Sequence, residues 1–365
     1  MAVVDLDELA AAGLYEPGAP DAAQRADLLA YLLDAGISVD DVAERSRSGD
    51  NLTSLLFDRR LTRGEVSAVQ LAERTGTPLP DVVETYRLLG VPVADVRALS
   101  FDAREPRLLE LVAHARAFLP EGMADEVLRS VGQALADVSE AKVAAFLGSA
   151  EDLLQRETPR TRAELTTATG EIALELGSLL EPLLRHHLWA AVQRQRTALR
   201  TSVDRLDSLL SIGFVDLVGF TAATESMDSR ALLGFVQEFH QRTFDVVSRL
   251  GGRVVKHIGD EVMYSSPDPD AGCAIALGVV DAFDDVGSVP RGGLAHGLVV
   301  ARHGDCYGSV VNLAARLTDA AVPGEVLADA AVARAASNRF AFEPAGRRQL
   351  KGFAEPVTVV AVRPA

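Results

Sequence analysis

Apolar residues recur at three- and four-residue spacing through roughly the first 205 positions of the chain, and this spacing forms one face of an α-helix. Ala, Leu, Glu and Arg dominate the stretch, and breakers such as Pro17-Gly18 and Thr77-Pro78 divide it into short segments. No strand pattern occurs there. The spacing therefore predicts a helical domain over residues 1–182 and a connecting helix over residues 183–205.

The connecting helix carries an apolar stripe that leads directly into the second half of the chain. Pro182 suits the first turn of a helix, where a backbone amide donor is not needed. Leu184, Leu188, Val192 and Leu199 lie at helical spacing along one side. Such a stripe packs into a core or forms a dimer seam. Its place between the two domains also makes it a candidate for carrying regulation.

Two adjacent histidines, His186 and His187, lie near the start of this helix. Histidine gains a proton near pH ~6–6.5, and the added charge beside Arg185 would shift the packing of the helix. The pair is therefore a candidate regulatory, pH-sensing element. Two exposed histidines without a regulatory role are the alternative, and the sequence leaves both interpretations open.

From about residue 206 the pattern changes to short apolar runs that alternate with amphipathic segments. Leu209–Leu217 is typical of a buried strand, and Asp228–Leu250 of an amphipathic helix. The order β-α-β-β-α-β, with additions, is that of a ferredoxin-like or split βαβ fold. The predicted fold class is therefore α+β, an all-helical N-terminal domain followed by a ferredoxin-like domain over residues 206–365. The other predicted strands are Arg253–Ile258, Glu261–Ser265, Gly293–Ala301, Glu325–Ala328 and Pro356–Val362, and the other helices are Asp270–Phe283 and one beginning at Tyr307.

Composition limits the classes of partner and the compartment. The net charge of −16 and the pI of about 4.9 are unlike those of proteins that coat nucleic acid or anionic lipid. The N-terminus carries acids where a signal peptide needs positive charge, and no apolar run approaches ~18 residues. Cys273 and Cys306 are too few and too widely spaced for a disulfide framework. We therefore expect a cytoplasmic protein with no nucleic-acid partner and no stable membrane insertion.

One segment of the helical half, Val66–Leu89, resembles a helix-turn-helix with Gly76 at the turn. Asp81 and Glu84 lie near the start of its second helix, and their charges would repel phosphates where a recognition helix meets DNA. A helical hairpin within a bundle is the alternative that these charges favour.

Two aspartates in the second half are candidates for metal binding. Asp216 lies at the end of a buried apolar strand, and Asp260 lies on a hairpin turn. In a split βαβ sheet these two elements are neighbours, so the carboxylates can meet. Facing carboxylates repel each other unless a cation lies between them. Hard oxygen ligands with a phosphate substrate favour Mg²⁺ or Mn²⁺, and two such ions can serve in-line attack at phosphorus.

Two further segments are candidates for phosphate binding. Gly219-Phe220-Thr221 follows the strand and leads towards a helix, and backbone N–H groups at such a turn can hold phosphate oxygens. Lys351, beside Gly352 at a turn, can reach a triphosphate. An ordinary strand-to-helix turn and a solvated lysine are the respective alternatives.

Two polar pairs match a nucleotide. Lys256 offers a donor and Asp305 an acceptor, which suit N1 and the 6-amino group of adenine, whereas guanine presents the opposite pattern. Asn312 and Arg316 are four residues apart and share one helical face. Arg316 could stabilise charge on a pentavalent phosphate, and Asn312 could orient the ribose. A solvated surface pair is the alternative in each case.

Together these residues resemble the catalytic domain of class III nucleotidyl cyclases. The strings FVDLVGFTAATE, VVKHIGDEVM, GDCYGSVVNLAARL and LKGFAEPV occur in the family's order between about Asp207 and Arg363. Each is a weak signal, but four in order with their internal spacings kept make a strong one. The resemblance implies metal binding by Asp216, Leu217 and Asp260, adenine selection by Lys256 and Asp305, transition-state stabilisation by Asn312 and Arg316, and substrate binding by Phe220, Thr221 and Lys351.

The resemblance further implies an adenylate cyclase that uses two Mg²⁺ or Mn²⁺ ions per active site. One subunit of a head-to-tail homodimer would supply the two aspartates, and the other would supply Lys256, Asp305, Asn312 and Arg316. The ribose 3′-oxygen of ATP would attack the α-phosphorus and release pyrophosphate. The helical half is similar to the regulatory domains of some actinobacterial cyclases, and a small or lipid-like effector of this domain is conceivable.

Two classes of alternative stay open. Ile258–Val262 resembles the GGDEF loop of diguanylate cyclases, and a guanylate cyclase is a further possibility, although Lys256 and Asp305 suit adenine. The second class is a catalytically silent, cyclase-like module that serves signalling or DNA binding. Intact Asp216, Asp260 and Arg316 argue against such a silent copy.

Overall fold

The structure is a computed structural model that describes residues 6–62, 64–154, 156–199, 207–219, 227–283, 289–302 and 304–365. The chain divides into two compact units, one ending at Leu183 and the other beginning at Leu184. The predicted boundaries after residues 182 and 205 stay predictions. A helix that begins at Leu180 crosses the first boundary, and the residues around the second lie outside the described ranges.

Helices form the regular structure of the first unit, as the apolar spacing predicts. Ser38 and Ser67 each begin a helix with a capping box, because their hydroxyls accept from the amides of Asp41 and Gln70, whose side chains bind back to the serine amides. None of the described helices has both the length and the apolar content needed to cross a bilayer. Its helices are α1 Leu6–Ala11, α2 Ala22–Asp34, α3 Val39–Ser48, α4 Leu55–Thr62, α5 Ala68–Thr75, α6 Leu79–Leu88, α7 Pro106–Phe118, α8 Met123–Leu154 and α9 Pro159–Ser178. The next helix, α10 Leu180–Leu199, begins in this unit and continues into the second.

The segment that resembles a helix-turn-helix forms α5 and α6, with Gly76 between them. Leu71, Val82 and Tyr86 from these helices are buried in one apolar cluster of the helical unit. Their inward faces therefore serve the core of this unit, which agrees with the helical hairpin that the charges favour.

An apolar cavity of about 250 Å³ lies within the helical unit. Phe57, Val143 and Ala173 line it together with small and polar side chains. The Lys142 amine, which also lines the cavity, donates to the carbonyl of Ala173 at 3.2 Å. The cavity gives this unit an apolar space, while the predicted effector stays a prediction.

Three apolar residues of the stripe on α10, Leu184, Leu188 and Val192, are exposed. Leu184 and Leu188 have exposed fractions of 58% and 56%, and Val192 and Trp189 are exposed as well. His186 and His187 are likewise exposed on this helix. The stripe therefore has an apolar surface that a further chain could cover.

The second unit begins within α10 and continues with the strand Asp207–Leu217 (β1), whose last two residues are the candidate metal-binding residues Asp216 and Leu217. The predicted strands and helices follow it in the predicted order, and the described residues also form two further strands and one further helix. The elements are β1 Asp207–Leu217, α11 Ser229–Arg249, β2 Arg253–Ile258, β3 Glu261–Ser266, α12 Pro269–Asp281, β4 Pro290–Arg302, β5 Asp305–Tyr307, α13 Ser309–Ala320, β6 Val326–Asp329, α14 Ala330–Ala335, β7 Phe340–Arg348 and β8 Val357–Pro364.

Within the described residues these strands form one mixed sheet in the order β2-β3-β1-β4-β6-β8-β7, and β5 pairs with β4. β4 and β6 are parallel, and the other pairs are antiparallel. The run β2-β3-β1-β4 places the first strand beside the hairpin, as a split βαβ unit requires. The predicted α+β class, with a ferredoxin-like second domain, is confirmed.

Side chains alternate across the sheet, so β1 buries residues on both faces. Val215 and Leu217 pack with Phe239 of α11 and Val279 of α12 on one face. Ile212 and Phe214, from the other face of β1, belong to a second cluster with Ala314 of α13. Strand β1, which carries Asp216 near its end, therefore packs against apolar side chains on both faces.

Helix α13 lies unusually close to β4 at Gly293. A Cβ atom at this position would lie 2.2 Å from the amide nitrogen of Thr318 and 2.4 Å from the carbonyl oxygen of Ala314. The hydroxyl of Thr318 also donates to the carbonyl of Phe214 on β1, at 3.3 Å. Only glycine permits this approach, which fixes the height of α13 above the first and fourth strands.

Strands β5 and β7, helix α14 and the start of helix α13 differ from the sequence prediction. Asp305 was expected in a turn, but it begins the short strand β5, and the following helix starts at Ser309 rather than Tyr307. Pairing of Asp305–Tyr307 with the end of β4 explains this, since three residues are too few to show a strand pattern. Strand β7 was not anticipated, because Pro344 and Gly346 interrupt it.

Candidate active site

Three carboxylates, those of Asp216, Asp260 and Glu261, lie near one another where β1 ends and the β2–β3 hairpin turns. We call these three residues the acidic corner. Asp216 and Glu261 are direct neighbours across the β1–β3 pair. Asp260 lies in the turn after Gly259, whose φ of +64° favours glycine, and its carbonyl accepts from the amide of Leu217 at 3.2 Å. The fold therefore brings together Asp216, Leu217 and Asp260, and their predicted metal binding stays a prediction.

Burial and mutual repulsion both disfavour negative charge in the acidic corner. The pKa of Asp260 is raised by its burial and by the neighbouring Asp216 charge. The pKa of Glu261 is raised to about 7, chiefly by burial and further by Asp216, Asp319 and Asp260. A divalent cation would relieve this repulsion.

The oxygen ligands of the acidic corner suit a metal ion that protein and substrate bind together. Among the described residues, no group of three or more His, Cys, Asp or Glu side chains is arranged to hold an ion unaided. Mg²⁺ is commonly held by one or two carboxylates together with substrate phosphates rather than by a cage of protein ligands. Asp216 and Asp260 fit that arrangement, and Leu217, being apolar, can offer only its main-chain oxygen.

Arg291 is the cation that the structure places beside these acids. It is the register neighbour of Asp216 on β4, and its Nε and Nη2 atoms donate to Oδ2 of Asp216 at 3.0 and 2.8 Å. The side chains of Arg291 and Asp216 are 27% and 19% exposed, so the ion pair is partly shielded from water. The positive charge of Arg291 thus lies directly beside the acidic corner.

Lys256 and Asp305 form an ion pair at the β2 side of the sheet. The Lys256 amine donates to Oδ2 of Asp305 at 2.5 Å, and the Cys306 amide donates to Oδ1 at 2.8 Å. Burial alone would raise the pKa of Asp305, but the hydrogen bonds from Lys256 and Cys306 outweigh it and lower the pKa. Lys256 and Asp305 thus contact each other, while their predicted selection of adenine stays a prediction.

Asn312 and Arg316 lie one turn apart on α13, where Asn312 is exposed. The Arg316 guanidinium donates to Asp319 at 2.7 Å, and the two side chains are 40% and 60% exposed. A pair this open to water contributes little to stability. Arg316 can therefore exchange Asp319 for another anion at small cost.

The remaining predicted residues are placed as follows. Lys351 is exposed at the turn between β7 and β8. Phe220 and Thr221 lie outside the described residues, so their predicted role stays a prediction.

The candidate residues thus form three local groups: the acidic corner, the Lys256–Asp305 pair and the α13 face of Asn312 and Arg316. In the part of the chain that the structure describes, no hydrogen bond or ion pair links a side chain of one group directly to a side chain of another. A complete site therefore calls for something beyond these internal contacts.

Sequence reasoning missed two residues of this region, Glu261 and Arg291. The acidic pair Asp260-Glu261 directly after a turn glycine was a signal for the first. The signal for the second was a charged residue at the start of an apolar strand, since Arg291 precedes Gly-Gly-Leu-Ala. Its partner became evident only from the β1–β4 register.

Comparison with known proteins identifies the family of the second half of the chain. Residues 204–362 match the family described as the adenylate and guanylate cyclase catalytic domain. An uncharacterized protein of Mycobacterium tuberculosis (strain H37Rv) is 35% identical over 370 residues, which cover 97% of this chain and 93% of that protein.

Two relatives carry functional names. An adenylate cyclase of Streptomyces coelicolor is 36% identical over 270 residues, covering 72% of this chain and 70% of that enzyme. A pH-sensitive adenylate cyclase of Mycobacterium tuberculosis is 28% identical over 361 residues, covering 93% of this chain and 88% of that enzyme.

Proposed function

Because the chain belongs to the adenylate and guanylate cyclase family, we propose that it is an adenylate cyclase, which converts ATP into 3′,5′-cyclic AMP and pyrophosphate. The observation that carries the choice of ATP is the Lys256–Asp305 pair, which offers one donor and one acceptor side by side. This pattern matches the N1 and 6-amino positions of adenine, whereas guanine presents the opposite pattern and would leave both side chains unpaired. The name of the Streptomyces coelicolor relative supports the same choice.

The acidic corner is proposed to hold two divalent cations, Mg²⁺ or Mn²⁺, through Asp216, Asp260 and the main chain of Leu217. When bound, the cations lower the pKa of the ribose 3′-hydroxyl and offset the charge of the phosphates. The protein's own contribution is to keep the two aspartates side by side at the end of β1 and in the hairpin turn. No side-chain base is needed in this scheme.

The α13 face is proposed to act on the reacting phosphate and the ribose. Arg316 would donate to the oxygens that gain charge as the 3′-oxygen attacks the α-phosphorus, and Asn312 would orient the ribose. The exposure of both groups supports this role, because neither is committed to a buried partner. Lys351 would contact the triphosphate, and the main chain at Phe220 and Thr221 would bind phosphate oxygens.

A homodimer is proposed to complete each site. One chain would supply the acidic corner, and its partner would supply Lys256, Asp305, Asn312 and Arg316, giving two equivalent sites. Exposed apolar side chains support a partner surface, because patches of this kind are usually covered in an assembly. They include Ile258, Leu298, Val300 and Tyr307 around the Lys256–Asp305 pair and Leu184, Leu188 and Val192 on α10.

Regulation by the helical unit is a further part of the proposal. Such a unit can hold the catalytic subunits apart and release them on a signal, and α10 is the segment that leads from one unit towards the other. The name of the pH-sensitive relative motivates a test of His186 and His187. The test replaces both histidines by Asn and records activity between about pH 5.5 and 8. A dependence of activity on pH that is unchanged from the parent chain excludes the two histidines as pH sensors.

The function is tested by incubating the purified full chain with ATP or GTP and Mn²⁺ and identifying the product. We expect cyclic AMP from ATP and much less cyclic GMP from GTP. A product formed mainly from GTP would make the protein a guanylate cyclase instead, and no cyclic product from either nucleotide would leave a catalytically silent module.

A further inference from the structure

A cavity of the second unit lies outside the three groups of the proposed catalytic site. Its volume is about 240 Å³, and it lies between α10 and the sheet. Ala191, Arg194 and Gln195, which share one face of α10, line it on one side, and residues of β1, β2, β3, β4 and β5 line it on the other. Every one of these residues follows Leu184, so the cavity is a feature of the second unit alone.

Two arginines face this cavity, Arg194 from α10 and Arg253 from β2. Nη1 of Arg253 donates to the carbonyl oxygen of Gly304 at 2.7 Å. Among the residues that the structure describes, no carboxylate forms an ion pair with either arginine. Burial and the neighbouring charge of Arg253 lower the pKa of Arg194. Two like charges that share a partly buried cavity call for an anion between them.

Two buried hydroxyl groups add neutral donors to the same cavity. Ser208 on β1 and Ser265 on β3 line it, and they are only 3% and 5% exposed. Ser265 is also the register neighbour of Arg253, which brings a hydroxyl next to a guanidinium. Within the described ranges, neither hydroxyl has a hydrogen-bond partner in the protein. Because a buried polar group without a partner costs free energy, these hydroxyls favour a polar ligand.

From the two guanidinium groups and the two hydroxyls, we propose that this cavity binds a phosphate group, carried either by inorganic phosphate or by a small phosphomonoester. The donors approach from α10 on one side and from the sheet on the other. This arrangement suits the oxygens of a tetrahedral phosphate better than the two oxygens of a planar carboxylate, and two arginines match the double charge of a phosphate. Leu210 and Pro267 give the cavity an apolar wall, which leaves room for a small organic group.

A phosphate bound by both arginines links two parts of the second unit. Arg194 belongs to the helix that begins in the first unit, whereas Arg253 binds the carbonyl of Gly304, directly before Asp305. The ligand therefore ties α10 to the turn that leads into the Lys256–Asp305 pair. Because this binding is measured without nucleotide, metal or turnover, its outcome is independent of the proposed cyclase activity.

The first test titrates the full chain with inorganic phosphate by isothermal calorimetry, at constant ionic strength and without nucleotide or divalent metal. We expect saturable binding to the parent chain. Arg194→Gln and Arg253→Gln should each raise the Kd for phosphate at least about tenfold, because each removes a charged donor. The double variant Ser208→Ala/Ser265→Ala should raise it by about three- to tenfold, because neutral donors contribute less. Thermal unfolding without phosphate checks that each variant is folded.

Two matched variants locate the bound phosphate. Arg196→Gln removes the same charge from an exposed position of α10, where the guanidinium lies 6.0 Å from the ring of Trp189, and it should leave the Kd within about twofold of the parent. Lys351→Gln should also stay within about twofold, whereas phosphate held in the proposed catalytic site would depend on this lysine. No saturable binding to the parent, or an equal Kd in the parent and Arg194→Gln, would overturn the proposal.

Two further ligands test the chemical class. Acetate should bind at least about tenfold more weakly than phosphate, because a carboxylate reaches fewer of the donors. Glycerol 3-phosphate represents a small phosphomonoester. If it binds more tightly than phosphate, the site is assigned to an ester, and the reverse order assigns it to the free ion. Acetate that binds as tightly as phosphate would contradict a phosphate site.

Trp189, the single tryptophan of the sequence, reports whether the ligand reaches α10. It precedes Arg194 by five residues on the same helix. Phosphate should change the fluorescence of Trp189 in the parent chain, with the midpoint found by calorimetry, and should leave it unchanged in Arg194→Gln. Heat of binding without any change in fluorescence in the parent would contradict a ligand that ties α10 to the sheet.

Discussion

The acidic corner and the exposed face of α13 carry two halves of the proposed site, and the fold holds them very differently. Asp216 is 19% exposed and bound twice by Arg291, which is itself anchored to backbone carbonyls. Arg316 is 40% exposed, and its partner Asp319 is 60% exposed on the same helix. One half is fixed by the sheet, whereas the other is held by a contact that water can readily replace.

The difference fits the proposed division of labour. Residues that must keep a fixed geometry within one chain are bound from several sides, while residues proposed to act across an interface stay exposed until a partner arrives. The Lys256–Asp305 pair is intermediate, since it is preformed but open to solvent on the lysine side.

The largest effect is expected at Asp260, in the fixed half. Asp260→Asn should lower kcat by at least about 1,000-fold, because it removes a proposed metal ligand. The unfolding temperature should stay equal or rise, since burial disfavours the charge of Asp260, as its raised pKa indicates. Asp245→Asn, at an exposed position of α11, is the control and should change neither quantity. Retained activity in Asp260→Asn would remove this residue from the metal site.

The exposed half should show a large catalytic effect with almost no effect on stability. Arg316→Ala should lower kcat by about 100- to 1,000-fold, because it removes a donor to the developing phosphate charge. Asp319→Ala removes the other partner of the same exposed ion pair and should change kcat by less than about threefold. Steady-state kinetics and thermal unfolding of both variants check this. Equal losses of activity would mean that the ion pair itself, rather than the free guanidinium, matters.

The Lys256–Asp305 pair should control the choice of nucleotide more than the rate. Asp305→Asn should reduce the ratio of kcat/KM for ATP to that for GTP by about 10- to 100-fold, because it alters the acceptor for the 6-amino group. Product analysis with each nucleotide measures the ratio. A ratio that does not change would show that base selection resides elsewhere.

The smallest effect concerns stability at low pH. His257 stacks on His240 with ring centroids 3.8 Å apart, and burial together with the His240 charge lowers the pKa of His257 to about 4. The unfolded chain binds a proton near the ordinary value of about 6.5, so the folded state loses stability as pH falls from about 6.5 towards 4. Since His257 is only half-buried, we expect roughly 1 kcal/mol between about pH 7.5 and 5.5.

The measurement compares the pH dependence of thermal unfolding in the parent chain, His257→Gln and His114→Gln. His257→Gln should lose less stability on acidification than the parent, whereas His114→Gln, on the exposed side of α7, should follow the parent. Parallel curves for all three proteins would show that His257 titrates normally in the folded state.

Most of the fold follows from the apolar pattern, because helices and buried strands each have their own period. The strand Leu209–Leu217, the amphipathic helix that begins after Asp228 and the hairpin around Gly259 were all predicted, and the structure has them. Strands β5 and β7 were missed. The first is too short for a period to appear, and the second carries Pro344 and Gly346, which interrupt any strand pattern.

The candidate site follows from the sequence to a lesser degree. Motif order identified Asp216, Asp260, Lys256, Asp305, Asn312 and Arg316, and the fold places them in three local groups. Arg291 could not be found in this way, because its contact with Asp216 depends on strand register, and register depends on contacts between residues 75 positions apart. The raised pKa of Glu261 likewise depends on burial and on neighbours that only the folded chain assembles.

The most direct test of the shared site mixes Asp216→Ala and Arg316→Ala chains. Each variant alone should be inactive, because every site in its dimer lacks one group. The equimolar mixture should recover about a quarter of the parent activity, since half of randomly formed dimers are mixed and each has one complete site. No recovery, with mixed dimers shown to form by capture on two different affinity tags, would contradict a site built from two chains.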